Sequence, residues 1–226
     1  MPKSVLIVSA TEAEAAVIKR IPGIGVSGNG FILGRCEISL LVTGVGAVAT
    51  AWSLTKCLSS GKKPDLALNI GIAGSFVEEI PIGSVVVPVE DCFADAGIED
   101  GSRFMTLAET GLQDPDKFPF KNGKLIADNR YTLLAKDILK PVRAITVNTA
   151  TGSEQTKSRI VAKYNPDIET MEGAAFFYIC SGENLSFLAL RAISNKVETR
   201  DRARWNIPQA LDSLAEKLKE LLLLLD

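Results

Sequence analysis

Short apolar runs alternate with amphipathic stretches along most of the chain. The first run, KSVLIVSA at 3–10, is short and rich in β-branched residues, which predicts a buried strand. The next segment, TEAEAAVIKRI, predicts a helix with Thr11 as its N-cap, because Glu14 stands three positions later in capping-box spacing. Repetition of this alternation predicts an α/β fold, with a mostly parallel sheet that helices cover on both faces.

The later predicted elements continue the alternation. Predicted strands are GFILG, EISLLVTG, PDLALNIGIAG, SVVVPVE, RAITVNTATG, PDIETM and LSFLALRAISN, and predicted helices are GVGAVATAWSLTKCL, SEQTKSRIVAKY, EGAAFFYICSG and PQALDSLAEKLKELLLLL. We expect PDLALNIGIAG to run into a glycine-rich turn. The pattern weakens between about 91 and 129, where a long excursion is expected to form a lid or an interface. Because no linker or repeat interrupts the 226 residues, we predict a single domain over 1–226.

Composition excludes several classes of protein. The chain is 46% hydrophobic and 23% charged with a net charge of -2, so it is not disordered and offers no basic surface to nucleic acid. Neither end predicts a signal peptide or a membrane span, so we expect no membrane partner. The four cysteines are scattered without CxxC spacing, which indicates a reduced, cytoplasmic protein with inert thiols.

The sequence contains no histidine. This excludes Ser-His and Cys-His nucleophiles and histidine-ligated metals. Acid–base chemistry must therefore use carboxylates, lysine, tyrosine, amides or water.

Polar residues follow predicted strands in distant parts of the chain. Glu14 lies one turn into the first helix, Glu172 opens a later helix, and Asn195 ends the last strand. Ligands of open α/β sheets gather at the carboxyl ends of strands, so we expect these side chains at one edge. Each also has a structural interpretation, since acids suit a first helical turn and asparagine suits an N-cap.

Two glycine-containing stretches and one acidic pair leave alternatives open. GVGAV lacks the third glycine of a dinucleotide fingerprint, so a tight turn is favoured over an NAD site. Gly71 and Gly74 either let the backbone approach a ligand or form a turn that needs positive φ. Glu169 and Glu172 share a helical spacing, and either both support a helix start or one binds a polyol such as ribose.

The segments VTGVGAV, NIGIAG, TMEGAA and RAISN, in this order, resemble the nucleoside phosphorylase/nucleosidase superfamily. The resemblance covers nearly the whole chain and is strongest from 168 to 206. The chain looks most like the methylthioadenosine/adenosylhomocysteine nucleosidases and is also similar to the futalosine hydrolases of the alternative menaquinone pathway. The resemblance implies a three-layer αβα domain with a central mixed, mostly parallel sheet.

The resemblance implies roles for the residues near the sugar. Glu172 would grip the two ribose hydroxyls, and Met171 would pack against the sugar. Glu14 would activate the attacking water, with Glu12 as the alternative if the register differs by two. The backbone of Ala73–Gly74 would lie beside the ribose and the water. Glu169 is then expected to cap the helix or to face solvent.

The main difference between this chain and the adenine-specific nucleosidases lies at one of the predicted purine contacts. Gln155 and Thr156 are candidate purine contacts. Adenine-specific nucleosidases have aspartic acid in RAISD, whereas this chain has Asn195, which donates a hydrogen bond but cannot transfer a proton. Asparagine suits a 6-oxopurine, which moves the resemblance toward futalosine, whose base is hypoxanthine. An amide that flips would suit the 6-amino analogue as well.

The sequence also contains candidate contacts for the 5′ arm of the substrate. Phe104, Met105 and Trp205 are candidate apolar walls, and Arg200 or Arg202 is a candidate partner for the carboxylate of futalosine. The alternative is that the arginine-rich loop KVETRDRARW is solvated and pairs with its own acids.

These observations favour hydrolysis of futalosine to release hypoxanthine. Acids in SATEAE would repel phosphate, which favours water over phosphate as nucleophile. The alternatives are a methylthioadenosine nucleosidase, a purine nucleoside phosphorylase and a module that binds purine nucleosides without cleaving them. The resemblance implies no metal or cofactor. It also implies a homodimer or larger homo-oligomer, in which 91–129 could close the neighbour's pocket.

Overall fold

The computed structural model describes residues 3–101, 103–199 and 201–225. Within these residues, ten strands form one mixed sheet in the order β11-β10-β6-β12-β5-β1-β4-β3-β2, and β9 pairs with β6. A separate hairpin contains β7 and β8. The strands are β1 (Lys3–Ser9), β2 (Gly25–Ser27), β3 (Gly30–Leu33), β4 (Cys36–Val42), β5 (Leu66–Ser75), β6 (Val85–Asp91), β7 (Gly97–Asp100), β8 (Arg103–Thr106), β9 (Leu125–Ile126), β10 (Lys140–Thr146), β11 (Ile168–Thr170) and β12 (Phe187–Lys196).

The predicted helices lie between strands, but Arg130–Lys136 is a further helix that was not predicted, and the predicted helix TEAEAAVIKRI is α-helical only over Glu12–Ala15. The helices are α1 (Glu12–Ala15), α2 (Ala47–Ser60), α3 (Arg130–Lys136), α4 (Glu154–Tyr164), α5 (Gly173–Gly182) and α6 (Ile207–Leu224). Short 3₁₀ segments follow α1 (Ala16–Arg20) and precede α6 (Arg202–Arg204). Thr11 caps α1 in a complete capping box with Glu14, which confirms that prediction.

The centre of the sheet is parallel. Strand β1 pairs in parallel with β4 and β5, and β5 pairs in parallel with β12. Strand β12 meets β6 in antiparallel orientation, while β6, β10 and β11 are parallel to one another. The carboxyl ends of β1, β5 and β12 therefore lie at the same edge, where α/β sheets bind ligands.

Alternate residues of the strands pack against opposite helical layers. Val5 and Ile7 join a core cluster that contains residues of α3 and α6, whereas Leu6 and Val8 join a cluster with residues of α2 and α5. This alternation follows from the two-residue period of a strand that is buried on both faces. The predicted three-layer αβα architecture is thereby confirmed.

The predicted turn at NIGIAGS is wrong. Strand β5 continues through it to Ser75, because β12 pairs with β5 along its whole length. Small residues are needed there for space: a Cβ on Gly71 would lie 2.8 Å from Glu14 Oε1, and one on Gly74 would lie 3.2 Å from Asn195 Nδ2. The glycines therefore allow side chains from α1 and β12 to approach the strand.

Three of the four cysteines lie in the core. Two of them are Cys92 and Cys180, and burial raises the pKa of both thiols, to about 12 for Cys92. Such thiols are inert at neutral pH.

In the described part of the chain, no helix combines the length and apolar character needed to cross a membrane.

Candidate active site

A cleft of about 210 Å³ opens at the carboxyl ends of β1, β5 and β12, beside β11 and the start of α5. It brings together Glu14, Glu172 and Asn195, which are far apart in the sequence. Met171 and the pair Ala73–Gly74 line the same cleft. The polar side chains of its wall are those of Thr11, Glu14, Thr151, Glu169, Thr170, Glu172, Ser194 and Asn195. The chemical roles assigned to these residues stay predictions.

Three hydrogen bonds fix the carboxylate of Glu14. Its Oε2 accepts from the backbone N–H of Thr11 at 3.0 Å and from the Thr11 hydroxyl at 2.7 Å, and its Oε1 accepts from Ile72 N–H at 3.0 Å. Glu14 is only 8% exposed, whereas Glu12 is exposed and does not line the cleft. The bonds use part of the accepting capacity of Glu14, so a water in the cleft can still bind it.

The N-cap position of α5 places Glu172 in the cleft. Its Oε1 accepts from Gly46 N–H at 2.9 Å, at the start of α2. Gly46 has a φ of +98°, a conformation that glycine tolerates, so the GVGAV turn serves as a backbone partner for the carboxylate. Burial raises the pKa of Glu172, and the Gly46 hydrogen bond and the charge of Arg191 oppose that shift.

The amide of Asn195 has a fixed orientation. A β-bulge at Ser194 interrupts the register of β12, and bulges of this kind re-aim side chains beside active sites. Asn195 Oδ1 accepts from the Ser194 hydroxyl at 2.8 Å, and Nδ2 donates to the Lys196 carbonyl at 2.9 Å. A flipped amide would direct its oxygen at that carbonyl, so one N–H and one lone pair remain in a defined arrangement for a ligand.

Glu169 neither caps a helix nor faces solvent, which corrects the prediction. It lies in β11, is 8% exposed and lines the cleft. Its Oε1 accepts from Thr151 N–H at 2.9 Å, and its Oε2 accepts from the Thr151 hydroxyl. Burial raises the pKa of this carboxyl group against these two bonds.

Arg191, a fully buried guanidinium beneath the cleft, was not predicted from the sequence. Its Nη1 donates to the carbonyls of Asn69 and Leu190, both at 2.9 Å, and its Nη2 donates to Asn69 Oδ1. Its charge opposes the rise that burial causes in the pKa of Glu172, while burial lowers the pKa of Arg191 itself. An arginine inside the apolar run LSFLALRAIS was the available signal, because buried charges need specific partners.

Asp91, at the end of β6, was also missed. Its Oδ1 accepts from the Thr146 hydroxyl at 3.0 Å, and the Thr146 oxygen accepts from Ala174 N–H at 2.7 Å. Its Oδ2 is buried without a hydrogen-bond partner, and a Cβ on Gly173 would lie 2.1 Å from it. Burial raises the pKa of Asp91 to about 7. Asp91 is therefore a buried carboxyl group beneath the start of α5, and only one of its two oxygens accepts a hydrogen bond from a side chain.

Several predicted contacts do not line this cleft. Gln155 is exposed in the first turn of α4, and Thr156 N–H donates to Ser153 Oγ. Thr151, from the same loop, occupies the wall instead. These purine assignments stay predictions.

The candidates for the 5′ arm are also separate from the cleft, apart from Trp205, which lines it. Phe104 and Met105 lie in β8 of the hairpin, and Arg202 is exposed in the 3₁₀ segment before α6. Arg200 lies outside the described residues.

The charge of the cleft is negative. No lysine or arginine is among the described residues of its wall. The described residues also contain no group of three or more His, Cys, Asp or Glu side chains placed to hold a metal ion. The carboxylates of the wall can accept hydrogen bonds from a polyol or a water, and they would repel a phosphate dianion placed between them.

Comparison with known proteins gives concordant matches. A family model described as the phosphorylase superfamily matches residues 4–225. The chain is 30% identical to futalosine hydrolase of Streptomyces coelicolor, over 96% of this chain and 94% of that protein. It is 28% identical to 5'-methylthioadenosine/S-adenosylhomocysteine nucleosidase of Haemophilus influenzae, over 70% and 68% of the two chains. The structure of futalosine hydrolase of Helicobacter pylori aligns with a TM-score of 0.78, at 20% identity and 98% coverage of both chains.

Proposed function

The chain belongs to the phosphorylase superfamily, and from this membership we propose that it is a nucleoside N-ribohydrolase that cleaves futalosine and releases hypoxanthine. The main observation in support of this reaction is that Glu14, Glu172 and Asn195 line the same cleft. Full-length similarity to a futalosine hydrolase supports futalosine as the substrate.

The proposed reaction uses each of the three side chains differently. Glu172 accepts hydrogen bonds from the ribose hydroxyls, and Asn195 donates one to the purine. The bond between the anomeric carbon and the purine nitrogen breaks, its electron pair leaves with the base, and the purine anion takes up a proton from solvent to become hypoxanthine. Water attacks the anomeric carbon, and Glu14 takes the proton that the water loses and afterwards returns it to solvent. The hydrogen bond from Asn195 stabilises charge that develops on the departing purine.

Water is favoured over phosphate as the nucleophile. Glu14 and Glu172 both line the cleft, and the described part of its wall offers no lysine or arginine. The guanidinium of Arg191 is already bonded to Asn69 and to the carbonyl of Leu190. A phosphate dianion would therefore meet net repulsion.

The test offers the purified protein futalosine, 6-amino-6-deoxyfutalosine, inosine and methylthioadenosine, each with and without phosphate. Chromatography then measures the free base. We expect hypoxanthine from futalosine at a rate that does not depend on phosphate. Phosphate-dependent turnover would indicate a phosphorylase, fastest release of adenine from methylthioadenosine would indicate the other nucleosidase class, and binding without turnover would indicate a nucleoside-binding module.

We further propose that the protein acts in the cytoplasm as a homodimer or larger homo-oligomer. Val45, Val48 and Trp52 form an exposed apolar patch beside the cleft, since Val45 also lines it. We propose that in this assembly the segment 91–129, which contains Phe104 and Met105, closes the neighbour's cleft. Light scattering after size-exclusion chromatography measures the assembly, and Val48→Glu should shift it toward monomer.

A further inference from the structure

We propose that Glu169 determines base specificity, by accepting a hydrogen bond from ring position 1 of a 6-oxopurine on the side of the base opposite Asn195. This inference rests on the proposed function, because it assumes that the cleft holds a purine. It assigns a substrate contact to a carboxylate that the sequence alone placed at a helix cap or in solvent.

Strand register supports this placement. Glu169 of β11 pairs with Gly74 of β5, and Gly74 pairs on its other side with Asn195 of β12. Residues paired in register project from the same face of a sheet, and all three line the cleft. Two interstrand spacings separate the backbones of Glu169 and Asn195 by about 9.5 Å.

Gly74 contributes no side chain between Glu169 and Asn195, which allows Val197 and Asn195 to pack against its backbone. A Cβ at this position would lie 2.9 Å from Val197 Cγ2 and 3.2 Å from Asn195 Nδ2. Glu169 and Asn195 therefore stand on either side of Gly74 in the wall of one cleft. In the proposed complex, a flat heterocycle bound between them presents one edge to each side chain.

The free hydrogen-bonding capacity of Glu169 suits a donor on the base. Thr151 supplies one bond to each carboxylate oxygen, and a carboxylate accepts about four in total. In a 6-oxopurine, ring position 1 carries an N–H that donates to the carboxylate. In a 6-aminopurine, that position is a lone pair, which the carboxylate repels. The 6-substituent and N7 then face the amide of Asn195, whose orientation Ser194 and Lys196 fix.

A structural role for Glu169 makes a different prediction. If the residue only anchors the loop through Thr151, loss of either partner should have the same effect on all purines. A direct contact should instead change the ratio of kcat/KM for futalosine over 6-amino-6-deoxyfutalosine. A hydrogen bond to a charged group contributes about 1.5–3 kcal/mol, which corresponds to a change of about 10- to 150-fold.

The decisive comparison uses Glu169→Gln and the matched control Thr151→Val. We expect Glu169→Gln to lower the 6-oxo over 6-amino ratio at least tenfold, because its amide also donates to a lone pair. Thr151→Val keeps the carboxylate and should leave the ratio within about threefold of wild type. An unchanged ratio in Glu169→Gln, or an equal change in both variants, would overturn the proposal.

Calorimetry with free bases needs no turnover. Wild-type protein should bind hypoxanthine at least tenfold more tightly than adenine, and Glu169→Gln should lose most of this preference. Equal affinity for the two bases in wild type, or the same preference in Glu169→Gln, would overturn the role of Glu169. If futalosine is not cleaved but the preference for hypoxanthine depends on Glu169, the proposed function fails while the inference about the base stands.

Discussion

The cleft and the hairpin of β7 and β8 are stabilised in different ways. In the cleft, buried carboxylates accept hydrogen bonds from backbone N–H groups of distant elements, as Glu14 does from Ile72. The hairpin is attached to α4 by long side chains of the helix: Arg159 forms an ion pair with Glu99 at 2.8 Å, and Lys163 Nζ donates to the Phe104 carbonyl at 3.1 Å. Arg159 also lies over the Phe104 ring at 5.5 Å.

This contrast shows which side chains of the fold are positioned most rigidly. Backbone donors in strands and helix ends move little, so they aim a carboxylate better than flexible side chains do. Exposed ion pairs contribute less than about 1 kcal/mol each and weaken in salt. We therefore expect substitutions in the cleft to change chemistry strongly and substitutions in the hairpin to change stability slightly.

The largest effect is expected from Glu14→Gln. The amide keeps the size of the side chain but cannot accept a proton from water, so kcat should fall by about 10²- to 10⁴-fold. Glu12→Gln, on the exposed face of the same helix, is the matched control and should retain full rate. Steady-state kinetics with futalosine measures both. A fully active Glu14→Gln enzyme would remove Glu14 as the base.

The next effect concerns the stability contributed by Asp91. Its pKa is about 7 in the folded protein and 3.8 in its ordinary state, so the native state retains a proton that the unfolded chain releases. The free energy of unfolding should therefore fall as pH rises from about 4 to 7, by at most about 1.4 kcal/mol per pH unit from this group. Above that range its contribution no longer changes.

Asp91→Asn should remove this part of the pH dependence, because the amide does not titrate. Urea unfolding at several pH values between 5 and 8 measures the slope. Asp137→Asn, at an exposed position after α3, should keep the wild-type slope. Identical slopes in both variants would show that Asp91 ionises normally.

A smaller effect is expected from Gly74→Ala. The added methyl group would lie 2.9 Å from Val197 Cγ2 and 3.2 Å from Asn195 Nδ2, so it would displace these side chains in the wall of the cleft. KM for futalosine should rise about tenfold, in keeping with the 1–3 kcal/mol typical of one misplaced methyl group in a pocket. Gly182→Ala, whose Cβ meets nothing within 4 Å, is the control. Equal KM values for the two variants would argue against a ligand above Gly74.

The sequence predicted the sheet edge better than it predicted the wall of the cleft. Hydrophobic periodicity located β1, β5 and β12, so Glu14 and Asn195 could be assigned to one edge. The burial of Glu169 depends on the antiparallel pairing of Ile168 and Glu169 with Ser75 and Gly74, a long-range register that local periodicity does not encode.

Asp91 and Arg191 show a different limit. Arg191 could have been suspected from its apolar neighbours, but its partner Asn69 belongs to a strand more than a hundred residues earlier. Asp91 follows an apolar run and looks like an ordinary strand end. Its burial results from α5, which begins at Gly173 directly above its Oδ2. Packing between distant elements, rather than local pattern, decides both environments.

The smallest effect is expected in the hairpin of β7 and β8. It tests whether the contact of this hairpin with α4 is weaker than the contacts that hold the cleft. Arg159→Met removes the ion pair with Glu99, whose side chain is 70% exposed, so the free energy of unfolding should fall by less than about 1 kcal/mol. Glu99→Gln and the double variant complete a cycle that isolates the pair. The coupling should vanish in about 1 M salt, where charges are screened within about 3 Å. A coupling above 2 kcal/mol that persists in salt would mean that the hairpin is held as firmly as the cleft, and that its contact with α4 is not merely a surface ion pair.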